Sequence, residues 1–162
     1  DPNPVIFIEN RLLYGMKGPR PDADFIIPIG KAAVVRPGSH VTVVSVSRMV
    51  HEALAAAEAL AGEGISVEVI DLRTVAPLDT HTLLASVHKT SRLLIAHEAA
   101  VPFGIGAEIA AVVAREAFWD LDAPIERVGS AATPPPYAPG LEKAWLPERT
   151  TIADAVRRLA SA

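Results

Sequence analysis

The side chains with the most chemical potential are histidines beside carboxylates. His97 and Glu98 directly follow the apolar run Leu93-Leu94-Ile95-Ala96, which puts them at the carboxyl end of an expected buried strand, the end of an open α/β sheet where ligands bind. Such a pair has the groups for proton transfer, and it serves equally to hydrogen-bond a neighbouring loop or a partner chain. We therefore carry His97 and Glu98 as loop-contact candidates. His51-Glu52 and His97-Glu98 each open like a helical zinc-protease motif, but the second histidine is replaced by Ala55 and Val101, so neither can hold zinc in that way. His81 and His88 fall about two turns apart on one expected helix and read as surface residues. Gly104-Ile105-Gly106 opens another helix, where free N–H groups can hold an anion, yet Ile109 replaces the third glycine of a dinucleotide fingerprint, so close strand-to-helix packing is the reading taken. Ser45 and Ser47 lack a G-x-S-x-G elbow. Trp119 and Trp145, near Asp120, Asp122 and proline-rich turns, suit either packing or a docking surface. No catalytic, cofactor-binding or metal residue is assigned.

Composition narrows the function classes. The 162 residues carry a net charge of −4 with scattered lysines and arginines and no cysteine. That gives no basic stripe for nucleic acid and excludes disulfides and thiolate chemistry. No apolar run approaches the length of a membrane helix, because His97, Glu98 and Glu108 interrupt the most apolar stretch. The opening Asp1-Pro2-Asn3-Pro4 has neither a methionine nor a signal-like core, so the chain is expected to be a piece of a longer one.

The elements that must position these residues follow from periodicity. Val5-Ile6-Phe7-Ile8 reads as one buried strand without neighbours of its own, followed from Arg11 to Gly30 by a linker rich in glycine and proline. A domain boundary at residue 30 divides 1–30 from 31–162. Thereafter short β-rich runs alternate with helical periodicity. Ala32–Val35 and Val41–Val46 are separated by only Arg36-Pro37-Gly38-Ser39 and His40, too short for a parallel crossover, so the first strand should run against the rest. Arg48–Ala61 is a crossover helix with Val50, Leu54, Ala57 and Ala61 as its stripe, stopped by Gly62 and Gly64. Ile65–Ile70 and Leu93–Ala96 are further strands, and Asp79 caps the helix between them. A helix over 105–117 turns Ile109, Val112 and Val113 inward, and Ile125–Val128 closes a sheet of about five strands. Thr133–Tyr137 is an extended arm. A last helix is capped by Thr150 or Thr151 and buries Ile152, Val156 and Leu159.

Whole phrases then match a known family. Glu9-Asn10-Arg11-Leu12-Leu13-Tyr14-Gly15, Arg48-Met49-Val50-His51-Glu52-Ala53, Asp71-Leu72-Arg73-Thr74, Lys89-Thr90-Ser91-Arg92-Leu93, Phe103-Gly104-Ile105-Gly106-Ala107-Glu108-Ile109 and Leu121-Asp122-Ala123-Pro124 resemble the beta subunit of the decarboxylating component of 2-oxoacid dehydrogenase complexes. The resemblance implies a C-terminal domain of the transketolase type, a three-layer α/β/α fold with a mixed sheet of about five strands whose first strand is antiparallel. Residues 1–30 would then be the last strand of the preceding pyrimidine-binding domain plus the linker.

It also implies a complete enzyme that uses thiamine diphosphate and Mg held by parts absent here, with none expected in this stretch, which alone would be inactive. The implied partners are an alpha subunit, a second beta subunit and the lipoyl acyltransferase core, docked through its subunit-binding domain near Asp120 and Asp122. His97-Glu98-Ala99 looks more like branched-chain members, whereas Pro102-Phe103-Gly104-Ile105-Gly106 looks like pyruvate and acetoin members; branched-chain 2-oxoacids are the favoured substrates and pyruvate or acetoin the alternative. The implied compartment is the bacterial cytoplasm, or the mitochondrial matrix in a eukaryote. A separate noncatalytic assembly module and a small enzyme using His97 and Glu98 are the competing readings.

Overall fold

The structure is a computed structural model that describes residues 4, 6 and 8–162. Five strands, β1 (Ala33–Arg36), β2 (Val41–Ser45), β3 (Val67–Asp71), β4 (Leu93–Ala100) and β5 (Glu126–Ser130), form one sheet in the order β1-β3-β2-β4-β5. β2 lies parallel to β3 and β4, β4 is parallel to β5, and β1 is antiparallel to β3. The helices are α1 (Arg48–Ala61), α2 (Thr80–Thr90), α3 (Ile105–Glu116), α4 (Pro139–Trp145) and α5 (Arg149–Ala160).

Successive strand residues point to opposite faces, so a sheet covered on both sides needs unbroken apolar runs. On one face Val41, Val43, Val67, Val69, Leu94 and Ala96 pack against α1 and α5; on the other Val44, Ile70, Leu93 and Ile95 pack against α2 and α3. The result is the expected three-layer α/β/α arrangement. Asp79 caps α2, accepting from Thr82 N–H at 3.2 Å, and its second oxygen accepts from Ala32 N–H at 3.0 Å, which ties the entry of β1 to that helix. Burial opposes its charge, but the bonds from Ala32 and Thr82 outweigh that cost and hold the carboxyl below the usual carboxylate range.

Several expectations need correction. β1 runs against the rest, but its neighbour is β3, because the short connection passes over the start of that strand. Gly38 permits this crossing: a Cβ there would lie 2.2 Å from both Val67 C and Glu68 N. β4 does not stop at Ala96 but continues to Ala100, so His97 and Glu98 lie within the strand. The stripe of α1 is rotated to Met49, Val50, Ala53, Ala56, Ala57 and Leu60, leaving Ala61 exposed, and Val112 of α3 is only half-buried. Neither Thr150 nor Thr151 caps α5; both lie in its first turn, after Glu148. Helix α4, which buries no residue, was not expected after Ala138-Pro139-Gly140, although proline suits the first turn of a helix. Of the expected strand Val5–Ile8, Val5 and Phe7 lie outside the described residues, as do Asp1, Pro2 and Asn3, while Ile6 and Ile8 are exposed.

Candidate functional site

The carboxyl end of β4 carries the first pair of candidates. Being adjacent on a strand, His97 and Glu98 face opposite ways. The His97 side runs into three glycines: a Cβ on Gly104 would meet His97 Cε1 at 2.8 Å, on Gly106 Nε2 at 2.6 Å, and on Gly129 Cε1 at 3.1 Å. The imidazole thus fills the space below the start of α3 and is only 2% exposed. Its Nδ1 lies 3.0 Å from the Ala99 carbonyl, which fixes the proton on Nδ1, and Nε2 has no protein partner among the described residues. Burial pushes its pKa below the ordinary histidine value; the Ala99 bond works the other way, and the nearby Arg127 charge adds to the lowering. Buried and held towards the neutral form, His97 packs against the start of α3. Because its ring occupies the crook before α3, the glycines there leave no room for a diphosphate.

Glu98 joins a different set of groups. Its Oε2 accepts from Asn10 Nδ2 at 3.1 Å and its Oε1 from Arg48 Nη1 at 3.3 Å. Arg48 Nη2 reaches Glu52 at 3.3 Å, and the other Glu52 oxygen accepts from the Arg149 backbone N–H at 3.1 Å. That N–H opens α5 and has no acceptor within its own helix, so the cap sought in Thr150 or Thr151 comes from α1. Ser47, between β2 and α1, holds a positive φ of 57°.

The second pair lies at the corner where α3 ends. A 3-10 turn, Phe118–Asp120, leads into Asp122-Ala123-Pro124. Asp120 lies 2.8 Å from His88 Nδ1, and Asp122 lies 3.6 Å from Arg92 Nη1. Beside them is an apolar groove of about 650 Å3, lined by Ala110, Ala114, Phe118, Trp119, Leu121 and Pro124 among others. Trp119 is 92% exposed and meets Phe118 edge to face, with ring centroids 5.0 Å apart; Trp145 is half-buried. His81 is exposed and His88 faces Asp120, so the two do not form a joint site. Among the described residues no cluster of three or more histidine and acidic side chains could hold a metal ion, and no helix is long and apolar enough to cross a membrane.

A third polar centre was not singled out from the sequence. Glu68 on β3 is wholly buried, accepts from Gly38 N–H at 3.3 Å and pairs with Lys89 of α2. Its signal was a single charge inside Val67-Glu68-Val69-Ile70, a run buried on both faces.

Comparison with known proteins bears on what this architecture belongs to. The chain is 51% identical over 162 residues to the "Pyruvate dehydrogenase E1 component subunit beta-1, mitochondrial" of Arabidopsis thaliana, covering 98% of this chain and 45% of the relative. It is 48% identical to the "Pyruvate dehydrogenase E1 component subunit beta" of Rickettsia felis (98% and 49% covered). It is 46% identical to the "Acetoin:2,6-dichlorophenolindophenol oxidoreductase subunit beta" of Cupriavidus necator (98% and 47%). The chain thus spans less than half the length of these curated relatives. Among solved structures, a "Split gene transketolase, inactive beta4 tetramer" superposes with a TM-score of 0.76 at 27% identity, over 85% of this chain and 45% of the other. Residues 30–152 match the family described as "Transketolase, C-terminal domain". With the mixed five-stranded sheet, its antiparallel first strand and its two helical layers, the chain belongs to the transketolase C-terminal domain family.

Proposed function

We propose that this chain is the C-terminal part of the beta subunit of a thiamine-diphosphate-dependent 2-oxoacid dehydrogenase, and that pyruvate, or acetoin in a related reaction, is the substrate of the complete enzyme. The observation that carries this is 46–51% identity along 98% of the chain to subunits named for pyruvate and acetoin. It favours those substrates over the branched-chain acids to which His97-Glu98-Ala99 inclined the sequence reading. In the complete enzyme, thiamine diphosphate supplies the decarboxylating carbanion chemistry, and it and Mg would be held by residues outside this chain. The domain described here would serve assembly, with an alpha subunit and a second beta subunit as partners. The relatives include a mitochondrial and a bacterial protein, so the matrix or the bacterial cytoplasm is the inferred compartment.

The test is to produce the longer subunit that contains this sequence together with an alpha subunit, and to measure thiamine-diphosphate-dependent oxidation of pyruvate, acetoin and branched-chain 2-oxoacids. A kcat/KM for pyruvate or acetoin about tenfold or more above that for branched-chain acids, a difference of about 1.4 kcal/mol in transition-state binding, is expected. The reverse order would overturn the substrate reading.

The corner at Asp120 and Asp122 is the proposed dock for the acyltransferase core. Its support is a half-exposed Asp122 held only loosely by Arg92, beside an apolar groove and the exposed Trp119. A basic partner that desolvates Asp122 would lose about 2–5 kcal/mol of affinity on Asp122→Ala, whereas a rim contact would lose about 1 kcal/mol or less. Unchanged affinity of the assembled enzyme for the core, measured by calorimetry, removes the assignment.

A further inference from the structure

Asn10 uses both ends of its amide. Its Oδ1 accepts from Leu12 N–H at 3.0 Å and so caps the 3-10 turn Arg11–Leu13, while its Nδ2 donates to Glu98 at 3.1 Å. This side chain therefore knows both the local turn and the end of β4. Behind Glu98 the polar chain continues through Arg48 and Glu52 to the first N–H of α5. Both ion pairs in it are shielded, Arg48, Glu52 and Glu98 having side-chain exposures of 20%, 23% and 30%. Partial burial strengthens such bonds relative to solvent-exposed pairs. The Asn10–Glu98 contact is unusual in one respect: almost every other large apolar side chain in the segment from Ile8 to Ile29 is exposed, including Ile8, Leu12, Tyr14, Met16 and Phe25. Apolar burial does little to hold that segment; polar contacts attach it, Asn10 to Glu98 near its start and Gly30 N–H to Thr74 Oγ1 at 2.8 Å at its end.

We propose that Glu98 is a latch that fixes the turn at Asn10 on the carboxyl end of the sheet and thereby sets the direction in which the preceding chain leaves this domain. The partner is a segment of the same polypeptide, recognised by a donor from Asn10 meeting a carboxylate that Arg48 holds in place. Glu98 is a positioning residue, and its contact with α5 through Arg48 and Glu52 makes the last helix of the domain part of the same clamp. The consequence for an attached domain rests on the reading that residues 1–30 join this domain to a preceding one; the latch itself does not.

Amide hydrogen exchange on the 162-residue chain, read by mass spectrometry, tests the latch separately from that reading. Leu13, Tyr14 and Met16 N–H groups are bonded within the turn, so their exchange reports how firmly it is held. Asn10→Asp keeps the oxygen that caps the turn but sets a carboxylate against Glu98. Exchange across residues 8–16 is expected to rise about tenfold, the loss of one charge-assisted hydrogen bond, while peptides from β2 and β4 keep wild-type rates. The double variant N10D/E98Q returns a donor opposite an acceptor, with the roles exchanged, and should restore most of the protection. Wild-type exchange in N10D, or an N10D/E98Q protein as fast as N10D alone, overturns the proposal.

Discussion

The two ends of the parallel strands handle polar groups in opposite ways. At the amino end the partners belong to the sheet, the Gly38 turn and α2, and only Lys89, with 48% of its side chain exposed, reaches solvent. The hydroxyls of Thr42 and Thr90 lie 2.7 Å apart and both reach the Ser86 carbonyl, while Glu68 is sealed between β3, the Gly38 turn and Lys89. At the carboxyl end Glu98 reaches outward to Asn10, and Glu52 reaches across to α5. A buried ion pair is costly to desolvate and returns little net stability, but breaking it is expensive because a charge is then left alone. A shielded surface network costs less and can be opened. The amino end is therefore built to keep the fold in one arrangement, and the carboxyl end to hold something else in place.

The strongest way to break this contrast is Lys89→Met. It strands the Glu68 carboxylate, whose side chain is 0% exposed although that of Lys89 is 48% exposed, and should lower the unfolding free energy by about 2 kcal/mol, between the loss of an exposed pair and that of a severed buried one. Urea denaturation at neutral pH measures it. The double variant E68L/K89M should recover most of the loss, since apolar replacement of both partners removes the desolvation cost along with the attraction. A loss below about 1 kcal/mol for K89M, the range of an exposed ion pair, would make the two ends alike.

Much of this fold was legible because its signals are local. The alternation of runs gave the five strands, Asp79 announced α2, and the four-residue gap before β2 dictated an antiparallel first strand. What stayed hidden depends on lateral order and distant partners. Val41–Ser45 and Val67–Ile70 are both buried on two faces, so nothing in either pattern says which lies beside β1; only the bare backbone of Gly38 hints that the connection crosses a neighbour. His97 and Glu98 looked like a strand's end because they are polar, yet one is accommodated by Gly104, Gly106 and the more distant Gly129, and the other by Arg48 and Asn10. The cap of α5 was sought in its own sequence and is supplied by Glu52. Asp120 and Asp122 were nominated on resemblance alone, and their in-chain partners His88 and Arg92 could not be read from spacing.

A smaller effect is expected from Gly106→Ala. At an exposed helical site alanine would gain about 1 kcal/mol over glycine. Here the new Cβ would lie 2.6 Å from His97 Nε2 and 3.4 Å from Ile95 Cγ2, and overpacking a filled core costs about 1–3 kcal/mol. The clash wins, so thermal unfolding should show a net loss of roughly 1 kcal/mol, opposite in sign to the helix propensity. A stabilised G106A protein would mean that the imidazole can leave its niche.

The smallest effect is a pH dependence confined to the carboxyl end. His97 is held neutral by burial, with its folded pKa below the value of about 6.5 that it regains on unfolding. The unfolded chain therefore binds the extra proton first. The contribution of His97 is complete above the unfolded value and declines as pH falls from there towards the folded one. Between pH 7 and pH 5 the wild-type protein should lose more unfolding free energy than a His97→Gln variant, which does not titrate and whose amide N–H can still donate to the Ala99 carbonyl. Comparing the two proteins at both pH values cancels the carboxylates they share. Equal losses would assign the acid sensitivity to other groups and leave His97 as packing alone. A greater loss in the variant would mean that the imidazolium is accommodated in the folded state, which the positive end of α3 directly above it makes unfavourable.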